Sequence, residues 1–381
     1  MTYEILLDEK NLYYPGDEVN AVTEARITEA VEDSGYMNIT VPSTNPLYGK
    51  IWERKSDIKV LEDSEIIWSG EVRNISLNMK CEKKLYVVGD ISFLNDSLQQ
   101  TGKYAGTPMQ VFSALLNNHN SQVEEKKRFR LGVVTIDVPG QNLSVITDYE
   151  STLSVFRNIC KEYKGHLKMR IRDNIKYVDV VKIEDYGTAC MQPIEFGENL
   201  LDYAEEISAE EIATCVVPLG KVTQNEDGTN TYVTVASLNA GKDYIYNPEA
   251  VNSFGWIKRT VKLNDVEDPE ILMEEGRKWL AEYQFAKLTI ELNAIDLSLL
   301  GMTSDAFNLG DYVNTKAAPF GLDAWYYIRK KVTDLLFPDK NTVTVGNTVS
   351  KGFTEQTSTE LKEMEKIIPI SSVLLDAAKQ N

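Results

Sequence analysis

The sequence predicts an α+β chain of several domains, on three observations. Up to about residue 97 it runs in short period-two stretches broken by turn residues, the pattern of antiparallel strands that bury one face. Helix starts then interrupt the β pattern at Thr107-Pro108, near Thr152 and at Asp268-Pro269. The chain has 381 residues, 43% of them hydrophobic. A single core stops growing before that length, so two to four domains are expected.

In the first region Met37, Ile39 and Val41 alternate with polar neighbours before Pro42. Ile58 and Val60 lead into Asp63-Ser64, and Ile66 and Trp68 return as a hairpin that continues through Gly70 to Val72, with a further strand at Leu85 to Val88. Strands at this spacing suggest a small barrel or sandwich. After Thr107-Pro108, Val111, Phe112, Leu115 and Leu116 recur at helical spacing. A second helix carries Leu153, Phe156, Cys160 and Tyr163 on one face, and Gly165 is read as its stop. Strands at Leu167 to Ile171 and Tyr177 to Val181 flank the turn Asp173-Asn174, so residues 98–190 read as a compact α+β unit.

Strands resume near Ile194 and at Ala213 to Leu219, and Asn225 to Gly228 reads as a hairpin tip. The third helix, from Asp268-Pro269, has the stripe Leu272, Trp279, Leu280 and Tyr283 despite Gly276. Further strands are expected at Thr289 to Leu297, Asn308 to Thr315, Trp325 to Val332 and Thr342 to Val345. The last thirty or so residues are polar, with a weak helical stretch at Leu361 to Ile368, and read as a linker or docking tail.

Charge and cysteine usage exclude whole classes. A formal net charge of -18 argues against binding phosphate backbones over any large surface, so no nucleic-acid partner is expected. The same charge would suit the wall of a channel through which DNA slides, but an ordinary acidic protein has the same balance, and charge alone does not separate the two. Cys81, Cys160, Cys190 and Cys215 lie far apart, without zinc-site or disulfide-framework spacing, and are read as buried thiols. No basic-then-apolar leader opens the chain and no run of about 18 apolar residues occurs, so no membrane span is expected.

Candidate chemistry is sparse. His119 and His166 lack a metal-binding spacing, so neither metal nor cofactor is expected. Cys160 and His166 stand six apart across a helix end, a conceivable thiol and base, but Cys160 shares its face with Phe156 and Tyr163 and reads as core. Glu205-Glu206, Glu210-Glu211 and Glu274-Glu275 are adjacent carboxylates that read as solvated faces rather than a glycosidase pair. Trp325-Tyr326-Tyr327 is a conceivable sugar platform, although strand alternation turns Tyr326 away from its neighbours. No P-loop, dinucleotide loop or GxSxG elbow is present.

Four stretches, the last a run that begins at FNLGDYVNT and ends at TVTVGN, together resemble the hub or tail-associated proteins of phage tail tips, the family of phage minor structural proteins and prophage endopeptidase tails. They are GKIWERKSDIKVLEDSEIIWSGEVRNISLN (49–78), STLSVFRNICKEYKGHLKMR (151–170), FGENLLDYAEEISAEEIATCVVPLGK (196–221) and the run from FNLGDYVNT (307–315) to TVTVGN (342–347). Each is moderately specific alone; their order along residues 50–350 carries the resemblance.

The resemblance implies a homotrimer whose subunits each give two tail-tube-like β-barrel domains with peripheral α+β domains. By position, 1–97 corresponds to the first barrel and 191–235 with 290–350 to the second; 98–190 and 236–289 are the outer units, and 351–381 is the tail. The implied role is a trimeric ring continuing the tail tube of a phage, prophage or phage-like particle with a Gram-positive host. Its implied partners are the distal tail or tube ring, the tape measure protein and a spike or receptor-binding fibre. The implied location is the virion tail tip, after synthesis in the bacterial host cytoplasm. Family members often carry a long C-terminal hydrolase or fibre extension, and this chain stops at Asn381. A non-enzymatic protein is therefore expected, with a tail-associated cell-wall hydrolase as the alternative.

Overall fold

The computed structural model describes residues 3–350 apart from 139–141, 209, 226–227, 264–265, 285–286 and 301–304. The expected C-terminal linker with its helical stretch, and the middle of the Asn225–Gly228 tip, lie outside these residues. The chain divides into two compact units, the first running to Asp202 and resuming over Leu292–Val345, the second centred on Tyr203–Glu291.

The first unit opens with β1 (Tyr3–Leu7), β2 (Lys10–Tyr13), β3 (Glu24–Ala30), β4 (Tyr36–Val41), β5 (Asp57–Glu62), β6 (Glu65–Leu77) and β7 (Lys83–Gly89). The period-two pattern does what alternation requires, burying Tyr3, Ile5 and Leu7 from β1, Met37, Ile39 and Val41 from β4 and Ile58 and Val60 from β5 in one core with Trp68. The β5–β6 hairpin turns through Asp63 and Ser64, both left-handed (φ 47° and 73°), as the right-handed strand twist favours.

The α+β part comprises β8 (Leu98–Gln99), β9 (Gly102–Gly106), α1 (Pro108–Gln122), β10 (Arg130–Val134), β11 (Leu143–Thr147), β12 (Glu150–Ser151), α2 (Thr152–Glu162), β13 (Gly165–Arg172) and β14 (Ile175–Lys182). Thr107 closes a capping box with Gln110 and Pro108 occupies the first turn, which fixes where α1 begins. The two helices meet through Phe112 and Phe156, edge to face at 4.9 Å, over a core that includes Phe93, Leu115 and Val178. Gly165 is not the helix stop: Lys164 takes the left-handed conformation (φ 51°) instead. A Cβ on Gly165 would stand 2.5 Å from Ile136 Cγ2, so glycine serves close packing there.

Next come β15 (Ala189–Glu195), β16 (Leu200–Ser208), β17 (Cys215–Leu219), β18 (Val222–Gln224), β19 (Asn230–Tyr232), β20 (Ile245–Tyr246), α3 (Pro248–Phe254), β21 (Lys258–Lys262) and α4 (Pro269–Tyr283). The chain continues with β22 (Lys287–Ile295), β23 (Tyr312–Ala317), β24 (Leu322–Asp334) and β25 (Thr342–Ser350). In the second unit β17 pairs antiparallel with β20 and parallel with β21, and α4 buries Leu272, Gly276 and Leu280. Gly276 allows α4 to lie close to β17, because a Cβ there would come within 3.0 Å of Pro218 Cγ.

The expectation of two β-barrels is overturned. The strands of 1–97 and, from the second assignment, β15, β16 and β22 to β25 lie in one 13-stranded sheet of order β16-β22-β25-β24-β3-β4-β7-β6-β5-β1-β2, with β23 branching from β24 and β15 from β23, whereas β17, β18 and β19 lie in separate small sheets. Its two ends do not pair among the described residues, so the sheet is open. Alternation reports which face of a strand is buried and is blind to whether first and last strands meet. The sheet is continuous because β24 is long enough to pair β23 with its first half and β3 with its second. Among the described residues no helix is long and apolar enough to cross a membrane.

Candidate functional site

His119 is fully buried near the C-terminal end of α1. Its Nδ1 lies 2.7 Å from Ser97 Oγ and its Nε2 3.1 Å from the Lys127 carbonyl. A carbonyl only accepts, so Nε2 carries the proton and Nδ1 accepts from the Ser97 hydroxyl. Burial holds the imidazole below its ordinary pKa, in the neutral form this arrangement needs. Ser97 Oγ also meets Thr152 Oγ1 at 2.7 Å, and the Gln99 amide donates to Thr152 Oγ1 and to the Leu115 carbonyl. The network ties β8 to both helices. It has the parts of a serine–histidine pair, but both residues are sealed from solvent, so its role is structural.

Cys160 and His166 line a cavity of about 520 Å³ with Glu32, Asp33 and Arg157. Burial pushes the Cys160 thiol up to about 12, so it is protonated at neutral pH, and it sits in the last turn of α2, where the helix dipole also disfavours a thiolate. Burial lowers the His166 pKa, and its ring packs against Tyr186. Among the described residues no hydrogen bond joins the pair, and Cys160 reads as core, as its helical face suggested. All four cysteines are unpaired; Cys81, expected to be buried, is exposed in the turn after β6.

The adjacent carboxylates do not converge. Glu274 and Glu275 both pair with Lys278 on the exposed face of α4, and Glu205 accepts from the Tyr203 hydroxyl. Buried carboxylates instead tie loops. Asp296 accepts from the Gln192 amide, the Ser298 hydroxyl and the Phe307 N–H, and Asp311 accepts from the Thr188 and Asn308 N–H groups. Among the described residues no three His, Cys, Asp or Glu side chains are grouped to hold a metal ion. Trp325 and Tyr327 share a face with Tyr312 from the neighbouring strand, at 5.2 and 5.8 Å between Tyr312 and each, while Tyr326 is buried on the other side as alternation required.

A charged cluster was not legible in the sequence. Glu71 on β6 is fully buried, 3.3 Å from Arg73 and 3.7 Å from Lys127, and Lys127 also pairs with Asp96 at 2.8 Å. Lys176 pairs with Asp90 at 2.7 Å, and Lys176, Lys127 and Arg73 stand 4.7, 5.3 and 6.0 Å from the Phe93 ring centre. Lys176 and Asp90 also line a cavity of about 690 Å³. Its parts come from positions 71 to 176, so no local spacing announced it.

The fold is similar to that of several phage tail proteins. It matches the 43 kDa tail protein of prophage MuSo2 from Shewanella oneidensis (TM-score 0.59, 14% identity, covering 92% of this chain and 98% of that one). It also matches prophage tail protein gp18 from Listeria monocytogenes EGD-e (TM-score 0.54, 14% identity, 97% and 99% covered). A third match is a tail protein from Neisseria meningitidis MC58 (TM-score 0.58, 12% identity, 92% and 97% covered). At these identities the likeness is one of fold. No curated protein matches the chain.

Residues 190–352 match the family described as prophage endopeptidase tail. That description overturns the expectation that the chain is non-enzymatic. Sequence reasoning had weighed a C-terminal hydrolase extension as the seat of the activity, whereas the matched segment is residues 190–352.

Proposed function

We propose that this chain is a tail-associated protein that acts on the peptidoglycan of the host wall during penetration, built on the scaffold of a tail structural protein. The observation that supports this reading is the match of residues 190–352 to the prophage endopeptidase tail family. The fold shared with three tail proteins supports its tail association. An endopeptidase cuts a peptide bond with water and leaves a new carboxylate and a new amine, so mass spectrometry of peptidoglycan digested after exposure to the chain is the test. Muropeptides with cleaved stem peptides or cross-bridges are expected. An unchanged muropeptide profile would remove the hydrolase reading.

Within the particle, the chain assembles with two copies of itself into a ring at the tail tip. That ring continues the tail tube, meets the distal tube ring and tape measure protein, and carries a distal spike or receptor-binding fibre. The acidic balance of -18 supports this placement, since an acidic passage lets DNA slide without sticking.

A further inference from the structure

The second unit carries an exposed aromatic cluster that neither the fold nor the proposed cleavage chemistry uses. Tyr244, Tyr246 and Trp256 pack ring against ring, with centres 6.2 Å apart between the tyrosines and 6.1 and 5.1 Å from Trp256 to each. Tyr246 and Trp256 are 41% and 54% exposed. Lys258 Nζ stands 4.8 Å from the Tyr244 ring centre and 5.8 Å from that of Trp256. Large aromatic side chains left in water cost free energy unless something covers them.

The platform is held in place from behind. The side chain of buried Thr214 donates to the Gly255 carbonyl at 2.7 Å and accepts from the Ile257 N–H at 2.8 Å, clamping the backbone on both sides of Trp256. The Asn239 amide fixes the Tyr244 carbonyl at 2.7 Å. An indole on a clamped backbone loses little entropy when it binds, which favours a ligand site over an incidental exposed ring. The adjoining strand β21 reads Lys-Arg-Thr-Val-Lys, and Lys258, Arg259 and Lys262 are exposed on it. Three cations in five residues stand out in a chain of net charge -18.

We propose that this cluster binds an anionic cell-surface glycan, a polymer whose pyranose rings carry carboxylate or phosphate groups. The apolar C–H face of a pyranose stacks on Trp256 and Tyr246, the tyrosine hydroxyls reach its hydroxyl groups, and Lys258 beside the rings receives the negative substituent. The proposal rests on the reading that the protein works at the bacterial wall, but its test is separate: binding is read without cleavage, and the muropeptide profile reads cleavage without binding.

Affinity electrophoresis of the full chain through gels cast with polygalacturonate, with glucosylated polyglycerol-phosphate teichoic acid, or with neutral dextran tests it. Retardation by at least one anionic polymer and not by dextran is expected, and which polymer acts distinguishes carboxylate from phosphate. Trp256→Ala and Lys258→Glu are each expected to weaken binding about ten-fold, with the far-ultraviolet circular dichroism unchanged because neither side chain belongs to a buried core. Trp325→Ala, in the first unit, is expected to bind as the parent does. Passage at the same rate through all three gels, or equal retardation of parent and both variants, would overturn the proposal.

Discussion

At the scale of single residues, two buried titratable groups set opposite pH dependences. His119 is held neutral by burial, with a folded pKa below the ordinary 6.5. Its contribution to stability is therefore present above the unfolded value and is lost as pH falls through the folded one. His119→Ala leaves the Ser97 hydroxyl and the Lys127 carbonyl short of a partner and is expected to cost about 2 kcal/mol at neutral pH, measured by urea denaturation. Glu71 runs the other way. Burial raises its pKa above 4.5, with Lys127 opposing, so its contribution is full below 4.5 and fades as pH rises through the raised value. Glu71→Gln is expected to flatten that fall in a series of melts between pH 4.5 and 8; an unchanged slope would show that another group carries it. Neither role was legible in the sequence. A histidine shows its residue type and spacing, while its partners Ser97 and Lys127 are brought to it by packing alone.

At the scale of elements, what was legible is what is local. Thr107-Pro108 and Asp268-Pro269 announced helix starts because a cap needs only neighbouring residues, and both helices begin there. Thr107→Ala is expected to cost about 1 kcal/mol by leaving α1 without its reciprocal cap. The short helix α3, seven residues capped by Asn247, was missed because two turns show no periodicity. Gly165 was given the wrong reason, since a glycine after a helix reads as a C-cap. Gly165→Ala is expected to cost about 1–3 kcal/mol by overpacking against Ile136. Combining it with Ile136→Ala should recover part of the loss if that contact is the cause, and a purely additive double mutant would deny it.

At the scale of the whole molecule, antiparallel strands and an α+β class were legible, and closure was not. The pairing that keeps the sheet open and continuous joins β3 to β24, and Arg26 to Asp334 across it at 3.2 Å, over some three hundred residues of chain. No pattern within a strand encodes so distant a partner. The candidate site divides in the same way. The resemblance carried by ordered stretches led to the tail-associated family, whereas the charged cluster around Glu71 and the aromatic platform at Trp256 arise from tertiary placement. If three copies form the tip ring, light scattering of the purified chain at high concentration should approach three times the monomer mass of 43.0 kDa. The claim that ties these scales together is that the chain sits where a tail meets the cell wall. Electron microscopy of purified particles labelled with a gold-conjugated antibody against the chain tests it most directly. Label confined to the distal end of the tail is the predicted result, and particles that carry label elsewhere, or none, would contradict it.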